Sequence, residues 1–194
     1  MTREELQRIF TRIPTLETER LQLRAMSVKD ASDMYDYARR FDVTRYLLWE
    51  PHGDRTYTEH YLSYLERLYR VGEFYDWALV DRKSGHMIGT CGFTRIDLFN
   101  RSAEIGYVLN PAYWGRGLAC EAVRAVLEFG FCRLSLHRID AHFMVDNEQS
   151  RRVAEKCGMH FEGVMHGALF VRGEYVDVGV CALLSDEYFG HSSI

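Results

Sequence analysis

The amino-acid sequence predicts a single α/β domain of the mixed α+β type, with a largely antiparallel sheet of six to seven strands and helices on both faces. Its length of 194 residues is typical of one domain. Three strand-like segments joined by short turns favour an antiparallel meander, and they lie at 74–81, 86–97 and 102–109. A helical pattern at 117–134 then precedes a strand at 138–145, which predicts one parallel crossover.

The first third of the chain has the residue patterns of one strand and two helices. Apolar and polar residues alternate over 21–25, which is typical of a half-buried strand. Ser27 is a helix-capping residue type and begins a predicted helix that ends near Arg39. An irregular aromatic segment covers 40–55, and tyrosine and leucine side chains recur at helical spacing over 56–71.

The last third alternates between helices and strands. The helix at 117–134 has one continuous apolar stripe, as a helix packed on a sheet requires. A shorter helix at 148–157 ends at Gly158, a residue type that favours the left-handed conformation after a helix. Two strands, at 160–171 and 174–184, complete the predicted sheet.

Composition excludes several classes of protein. No linker, low-complexity tract or internal repeat divides the chain, so the predicted domain covers 1–194 with its core at about 15–188. The net charge of −4 disfavours nucleic acid as a partner, because proteins that neutralise many phosphates usually carry a basic surplus. The eight histidines show no regular ligand spacing, so no metal site is predicted.

The cysteines and the N-terminal segment indicate the cell interior. The five cysteines include no Cys-x-x-Cys pair, and most lie in apolar runs, where a free cysteine behaves as a small buried hydrophobe. Residues 1–13 are charged and lack the apolar run of a signal peptide. No stretch approaches the ~18 apolar residues of a membrane span. We therefore expect a cytoplasmic, reduced protein without a membrane partner, present as a monomer or a homodimer.

One segment carries most of the functional information, because a strand runs through a glycine-rich turn directly into a helix. It reads Glu-Ile-Gly-Tyr-Val-Leu at 104–109, Asn-Pro-Ala-Tyr at 110–113 and Trp-Gly-Arg-Gly-Leu-Ala at 114–119. The first amides of a helix have no partner within it, and the helix dipole adds positive potential there. Gly115 and Gly117 allow a bulky anion to approach this backbone closely. The segment therefore predicts a phosphate or pyrophosphate site.

Two other phosphate-binding turns fit this segment poorly. A P-loop needs Gly-Lys followed by Ser or Thr, and the chain has no such run. A dinucleotide fingerprint needs glycine or alanine where Cys120 stands, and an acidic residue at the end of a strand. Asp140 lies near the start of its predicted strand instead, and the turn follows an antiparallel meander rather than opening an alternating β-α-β series.

Three motifs between Glu104 and Leu184 together resemble one family. An acidic residue precedes an Ile-Gly-Tyr-x-Leu strand, a Gly-x-Gly-x-Ala turn follows, and a later helix has the spacing Asn-x-x-Ser-x-x-Val-x-x-Lys-x-Gly. The matching residues are Glu104, Ile105, Gly106, Tyr107 and Leu109, then Gly115, Gly117 and Ala119, then Asn147, Ser150, Val153, Lys156 and Gly158. The sequence thereby resembles the GCN5-related N-acetyltransferase (GNAT) superfamily, and within it the branch of the ribosomal-protein N-terminal acetyltransferases.

The resemblance implies the GNAT fold and acetyl-CoA as the cosubstrate. Backbone groups of Val108 and Leu109 are expected to bond the pantetheine arm, which would enter a gap between the fourth and fifth strands of the family's sheet. Asn147 and Ser150 are expected along the same arm. The pyrophosphate is expected at the amides of Gly115, Arg116, Gly117, Leu118, Ala119 and Cys120.

The resemblance also implies the catalytic roles and the kind of acceptor. Glu104 is expected to act as the general base and Ser150 as the general acid. Many relatives have, where this chain has Ala154, a tyrosine that can protonate the leaving thiolate. Without it, the general acid of this chain would be Ser150 or water, or the reaction would have none. The expected reaction acetylates a primary amine, with a protein N-terminal α-amine as the leading acceptor. A small-molecule amine, such as an antibiotic, a polyamine or an amino acid, is one alternative, and a degenerate acyl-CoA-binding sensor is another.

Overall fold

Eight strands form one mixed sheet in the computed structural model, which describes residues 1–190. The remaining part of the predicted domain, 191–194, lies outside the described residues. In chain order the strands are β1 Leu16–Glu17, β2 Leu21–Arg24, β3 Tyr75–Asp81, β4 Met87–Asp97, β5 Ser102–Leu109, β6 Arg138–Met144, β7 His160–Val171 and β8 Glu174–Leu184. They lie side by side as β1-β2-β3-β4-β5-β6-β8-β7, and β5–β6 is the parallel pair in this otherwise antiparallel order.

Helices cover both faces of this sheet. In chain order they are α1 Arg3–Thr11, α2 Ala31–Ala38, α3 Phe41–Thr44, α4 Arg55–Val71, α5 Leu118–Glu128, α6 Glu148–Lys156 and α7 Ser185–Gly190. Side chains of α1, α5 and α6 join the apolar cluster on one face, and those of α2 and α4 form a second cluster on the other. The predicted fold class is confirmed. None of the helices in the described residues is long and apolar enough to cross a membrane.

The structure differs from the prediction at the edges of the sheet and at helix ends. The sheet has eight strands rather than six to seven, because the two-residue strand β1 pairs with β2. Helix α1 begins at a capping box formed by Thr2 and Glu5, in a segment without a predicted helix. The helix predicted at 117–134 leaves α-geometry after Glu128 and continues as one π-helical turn to Arg133.

The side chains that hold the two faces together are mainly aromatic and aliphatic. Trp77 on β3 is fully buried, and its indole N–H donates a hydrogen bond to the carbonyl of Pro14 at 2.8 Å. Phe10 and Phe129 meet its ring edge-on, with centroids 5.7 and 5.3 Å away. Burying one such aromatic side chain stabilises a fold by about 1.5–3 kcal/mol. This aromatic contact ties α1 and the end of α5 to the meander.

The single parallel ladder is short, and its length determines where the sheet opens. Pairing of β5 with β6 runs from Ser102–Arg138 through Ala103–Ile139 to Glu104–Asp140. Both strands continue beyond the last pair, β5 to Leu109 and β6 to Met144. The two strands therefore diverge past Glu104 and Asp140, and these two residues lie at the apex of the resulting gap.

A half-buried aspartate on β3 makes the stability of the fold depend on pH. The Oδ1 atom of Asp76 accepts a hydrogen bond from the Trp77 amide at 2.9 Å, and burial raises the pKa of Asp76 to about 7. Since this value exceeds the ordinary 3.8, the folded state holds a proton that the unfolded state releases. The contribution of Asp76 to stability is therefore complete at low pH and is lost as the pH rises towards 7 and above.

We predict that Asp76→Asn, which keeps the Oδ1 acceptor but cannot ionise, gains stability relative to the wild type as the pH rises. The difference in unfolding free energy, measured by urea denaturation, should be larger at pH 8 than at pH 5. Asp81→Asn is the matched control, because hydrogen bonds from Ser84 lower the pKa of Asp81 and place its titration below this range. An equal effect of Asp76→Asn at both pH values would contradict the prediction.

Candidate active site

A groove of about 850 Å³ runs from the open end of β5 to the N-terminal ends of α5 and α6. Its walls come from β5, from the turn before α5 and from the first turn of α6. The predicted cofactor-binding residues on these walls are Val108, Leu109, Gly115, Gly117, Leu118, Ala119, Cys120, Asn147 and Ser150. The side chain of Arg116 extends instead over the Tyr113 ring, with its guanidinium carbon 5.2 Å from the ring centroid.

The glycine-rich turn presents unbonded amides to this groove. Gly115 and Gly117 adopt the left-handed conformation, with φ of 73° and 77°, and the space beside Gly115 is open. Gly117 is the N-cap of α5 and provides no side chain to cap the helix. The first helical bond runs from the Glu121 amide to the Gly117 carbonyl, so the amides of 118–120 have no helical acceptor. An anion of pyrophosphate size fits these donors and the dipole of α5.

A polar contact with the first strands holds this turn in place. The Glu121 carboxylate accepts hydrogen bonds from the Thr18 hydroxyl at 2.6 Å and from the Arg20 amide at 2.8 Å. The Arg20 guanidinium forms an ion pair with Glu121 at 2.6 Å and donates to the Arg116 carbonyl at 2.8 Å. Arg20 therefore holds the glycine-rich turn in place. It also offsets the negative charge of Glu121, which lies in the first turn of α5.

Trp114 closes the end of β5 that leads into the turn. Its indole N–H donates a hydrogen bond to the Leu109 carbonyl at 2.7 Å. Because the Leu109 carbonyl already accepts this hydrogen bond, we expect a ligand that extends along β5 to bond to the Leu109 amide and to neighbouring backbone groups.

Ser150 lies where α6 meets β5, and its hydroxyl belongs to a pair. Asn147 caps α6 by accepting a hydrogen bond from the Ser150 amide at 3.2 Å. The Ser150 hydroxyl donates to the Tyr107 oxygen at 3.0 Å, and the Tyr107 hydroxyl donates to the Ser150 carbonyl at 2.8 Å. Burial raises the pKa of Tyr107 well above its usual value, so this tyrosine stays protonated.

The Tyr107–Ser150 pair lies near the position of Ala154 on α6, where many relatives have a tyrosine. Ala154 is fully buried in the core cluster between α6 and the sheet. Tyr107 reaches the groove from β5 instead and places its hydroxyl beside Ser150. The sequence analysis used Tyr107 only as a motif residue, because nothing in one chain reveals which side chains on β5 and α6 meet.

Glu104 lies apart from the walls of the groove, at the apex of the gap between β5 and β6, with two further residues beside it. His142 Nε2 lies 3.2 Å from Asp140 Oδ1, and His142 Nδ1 lies 3.7 Å from Glu104 Oε2. The close contact with the Asp140 carboxylate raises the pKa of His142. Burial opposes ionisation of Asp140, but the contacts with His142 and Arg138 together lower its pKa.

Sequence reasoning missed His142 and considered Asp140 only as evidence against a dinucleotide site. Their alternation on β6 was the available signal, since residues two apart on a strand share a face. The oxygen and nitrogen atoms of Glu104, Asp140 and His142 lie within 4.8 Å of one another, close enough to surround a cation. Arg138 lies 3.3 Å from Asp140 and already provides positive charge there. The predicted absence of a metal remains a prediction.

The aromatic residues singled out between the first helices and the meander separate into two groups. Trp77 is in the core, and Tyr75 packs against Phe10 with ring centroids 4.7 Å apart. Tyr46 lines the groove, and Trp49 lies in the same α3–α4 connection. The second pair therefore belongs to the side of the molecule where the groove opens.

Comparison with known proteins identifies the family that this fold and groove define. Residues 20–160 match the acetyltransferase (GNAT) domain family. The chain belongs to this family and is an acetyl-CoA-dependent N-acetyltransferase. It is 34% identical over 176 residues to the uncharacterized N-acetyltransferase p20 of Bacillus licheniformis, across 91% of this chain and 99% of that protein. The crystal structure of a GNAT-family acetyltransferase from Bacillus anthracis superposes with a TM-score of 0.80 at 27% identity, covering 89% of this chain and 99% of that one.

Relatives with named acceptors fall into two groups. The ribosomal-protein-serine acetyltransferase of Escherichia coli (strain K12) is 35% identical over 104 residues, which cover 54% of this chain and 58% of that protein. The spermidine N(1)-acetyltransferase of Vibrio cholerae is 26% identical over 177 residues, across 89% and 97% of the two chains. The resemblance to a ribosomal-protein branch is confirmed, and the acceptors that the names of these two relatives give are a ribosomal protein and a polyamine.

We predict that Gly117→Asp abolishes acetyl-CoA binding in a protein that still folds, because it places a carboxylate where the pyrophosphate is expected. Titration calorimetry should detect no binding at concentrations that saturate the wild type. Gly85→Asp is the matched control, since Gly85 has a φ of 75° and open space beside it, whereas a Cβ at Gly117 would lie 3.6 Å from an Arg20 guanidinium nitrogen. Both substitutions cost about 1–2 kcal/mol of backbone strain. Equal acetyl-CoA affinities of the two variants would remove position 117 from the cofactor site.

Proposed function

We propose that the protein acetylates the α-amine of a protein N-terminus, with coenzyme A held along the groove and the acceptor entering from the opposite face of the gap. The observation that carries this proposal is the juxtaposition of the amides of 118–120 with a gap that ends at Glu104. One end supplies an anion site, and the other end supplies a carboxylate for a cationic amine. A thioester between them is accessible to a nucleophile.

Coenzyme A would be held mainly by backbone groups. The pyrophosphate would accept hydrogen bonds from the turn at 115–120, and the pantetheine arm would follow β5 as an added strand beside Val108 and Leu109. Ser150 and Asn147 lie where the arm would turn into the gap. Oriented binding of both substrates would supply much of the rate acceleration.

Glu104 and Ser150 would carry the proton transfers. The acceptor enters as an ammonium ion and must lose a proton before its nitrogen can attack the thioester carbonyl. Glu104, half-buried at the apex, would receive that proton directly or through water. The Ser150 hydroxyl, which donates to the Tyr107 oxygen at 3.0 Å, would turn towards the departing thiolate and stabilise it.

The α3–α4 connection, which lines the groove at Tyr46, contacts the β7–β8 turn. Arg172, in that turn, donates hydrogen bonds to the carbonyls of Thr44 and Trp49 at 3.1 and 3.2 Å, and forms an ion pair with Glu50 at 3.1 Å. These contacts hold the connection at the edge of the groove. A connection fixed in this way would select an acceptor by its shape, in addition to the amine that reacts.

The pKa of the amine favours an α-amine over a lysine side chain. An α-amine has a pKa near ~7.7–8.0, so roughly a tenth is neutral at pH 7, whereas a lysine ε-amine near ~10.4 is neutral about once in a few thousand molecules. The difference corresponds to about 3 kcal/mol, which the site would have to supply from its base. The relative that acts on a ribosomal-protein serine supports the same choice. Similarity to a spermidine acetyltransferase supports a polyamine as the second candidate.

We predict faster acetylation of a free α-amine than of a free lysine side chain in otherwise identical peptides. One peptide has a free N-terminus and a blocked lysine, and its partner has the reverse arrangement. Release of the CoA thiol is measured at pH 7 with saturating acetyl-CoA. Faster turnover of the lysine peptide would contradict the proposal, faster turnover of spermidine than of both would establish the polyamine, and binding without any turnover would indicate a sensor.

We predict that Glu104→Gln lowers kcat at neutral pH by ~10²–10⁴-fold and leaves the affinity for acetyl-CoA within about twofold, because general-base catalysis contributes a factor of that size. The comparison uses Glu4→Gln, an exposed glutamate on α1, as the control. A loss smaller than about threefold at every pH would show that Glu104 does not receive the proton.

A further inference from the structure

We infer that His142 is the terminal acceptor of the proton that Glu104 removes from the amine, and that Asp140 is the positioning residue that orients its ring. This inference rests on the proposed transfer to an amine. It adds two residues to the site that neither the family motifs nor the sequence analysis assigned.

The sheet itself brings the three side chains together. Glu104 and Asp140 are the last pair of the parallel ladder, so their side chains lie next to each other on one face of the sheet. His142 follows Asp140 by two residues on β6 and therefore shares that face. It lies one step further along the diverging strands, beside the space that an acceptor amine must reach.

The two ring nitrogens of His142 have different partners. Nε2 lies 3.2 Å from Asp140 Oδ1, a buried oxygen that accepts no hydrogen bond from the described residues. Nδ1 lies 3.7 Å from Glu104 Oε2. Because this buried oxygen has no other partner among the described residues, a small rotation of the ring would let it accept from Nε2–H, and the lone pair would then lie on Nδ1. The basic nitrogen is thereby turned towards Glu104.

The charges around the ring favour proton uptake. Asp140 contributes the main effect and Glu104 a smaller one, and together they raise the pKa of His142, whereas burial and Arg95 on β4 act in the opposite direction. Arg138, on the same strand as His142, is engaged by Asp140 at 3.3 Å and by Glu162 of β7 at 2.6 Å. On β8, His142 is paired with Val180, which carries no charge.

A histidine of raised pKa suits this task better than a carboxylate alone. A carboxylate with an ordinary pKa near ~4.3 holds a proton from an amine only fleetingly at neutral pH. General-base catalysis is most efficient when the pKa of the acceptor lies near the working pH. Passing the proton from Glu104 to His142 would restore the Glu104 carboxylate before the nitrogen attacks.

The proton balance of the reaction is complete. The ammonium loses one proton to Glu104, which passes it to Nδ1 of His142, and the imidazolium is held by Asp140. The amine lone pair forms the bond to the thioester carbon, and the C–S bond breaks with its electron pair on sulfur. The nitrogen then loses a second proton, which ends on the CoA thiolate, and His142 returns its proton to solvent.

The test measures kcat against pH for the wild type, His142→Gln and Asp140→Asn with one α-amine peptide and saturating acetyl-CoA. Activity of the wild type should rise with pH through a pKa above 6.5. His142→Gln should lose that rise and at least ~10²-fold of kcat at pH 7. Asp140→Asn should move the rise to lower pH, which a purely structural role for Asp140 would not do.

His86→Gln is the matched control, because His86 also pairs with an aspartate, Asp33, at 3.0 Å but lies in the β3–β4 turn. Its pH profile should equal that of the wild type, and melting curves verify that all variants fold. A nitrogen NMR titration without substrate provides a second readout. It should show Nε2–H as the tautomer of His142 and a pKa that falls in Asp140→Asn.

Four results would overturn the inference. Loss of less than threefold of kcat in His142→Gln, or an unmoved pH profile in Asp140→Asn, would exclude the relay while the wild type still turns over. Activity that is lost with EDTA and restored by a divalent cation would assign the three side chains to a metal. A wild type that acetylates no amine would reject the proposed function and this inference together.

Discussion

The early end of the β5–β6 ladder is the constraint on which the rest of the site depends. Parallel pairing stops at Glu104 and Asp140, although both strands continue in extended conformation. Antiparallel neighbours keep each strand in place beyond that point, since β5 remains paired with β4 and β6 with β8. The unpaired edges can therefore persist as a gap, which gives an extended ligand backbone partners and gives a thioester access to the acceptor side.

The same crossover that makes the pair parallel also builds the proposed anion site. Helix α5 must start near the open end of β5 and return across the sheet, so its N-terminal amides lie at the mouth of the gap. Gly117 begins the helix without a capping side chain, and the contact between Arg20 and Glu121 holds the turn against the first strands. The proposed cofactor site and the gap are thus consequences of one β-α-β connection rather than separate features.

The sequence predicted what depends on local pattern and failed where side chains meet across the sheet. The meander, the crossover and the glycine turn were readable because turn residues, apolar periodicity and helix-start signals are local. Asn147 and Ser150 were also predictable, because their spacing on α6 is itself a motif. Both residues line the groove. Tyr107 on β5 meets Ser150 on α6, and Glu104 on β5 meets Asp140 and His142 on β6. A single sequence does not reveal these contacts, because it does not show which residues of neighbouring elements lie opposite each other. Helix α1 was missed because its core contacts, through Leu6 and Phe10, are tertiary.

Membership of the GNAT family defines the reaction, and the geometry of the β5–β6 gap is the claim from which every proposed role follows. A crystal structure with coenzyme A tests it most directly. The account predicts the pyrophosphate within hydrogen-bonding distance of the amides of 115–120, the pantetheine arm along β5, and the sulfur in the gap near Ser150. A pyrophosphate bound away from the N-terminus of α5, or a sulfur outside the gap, would contradict the account.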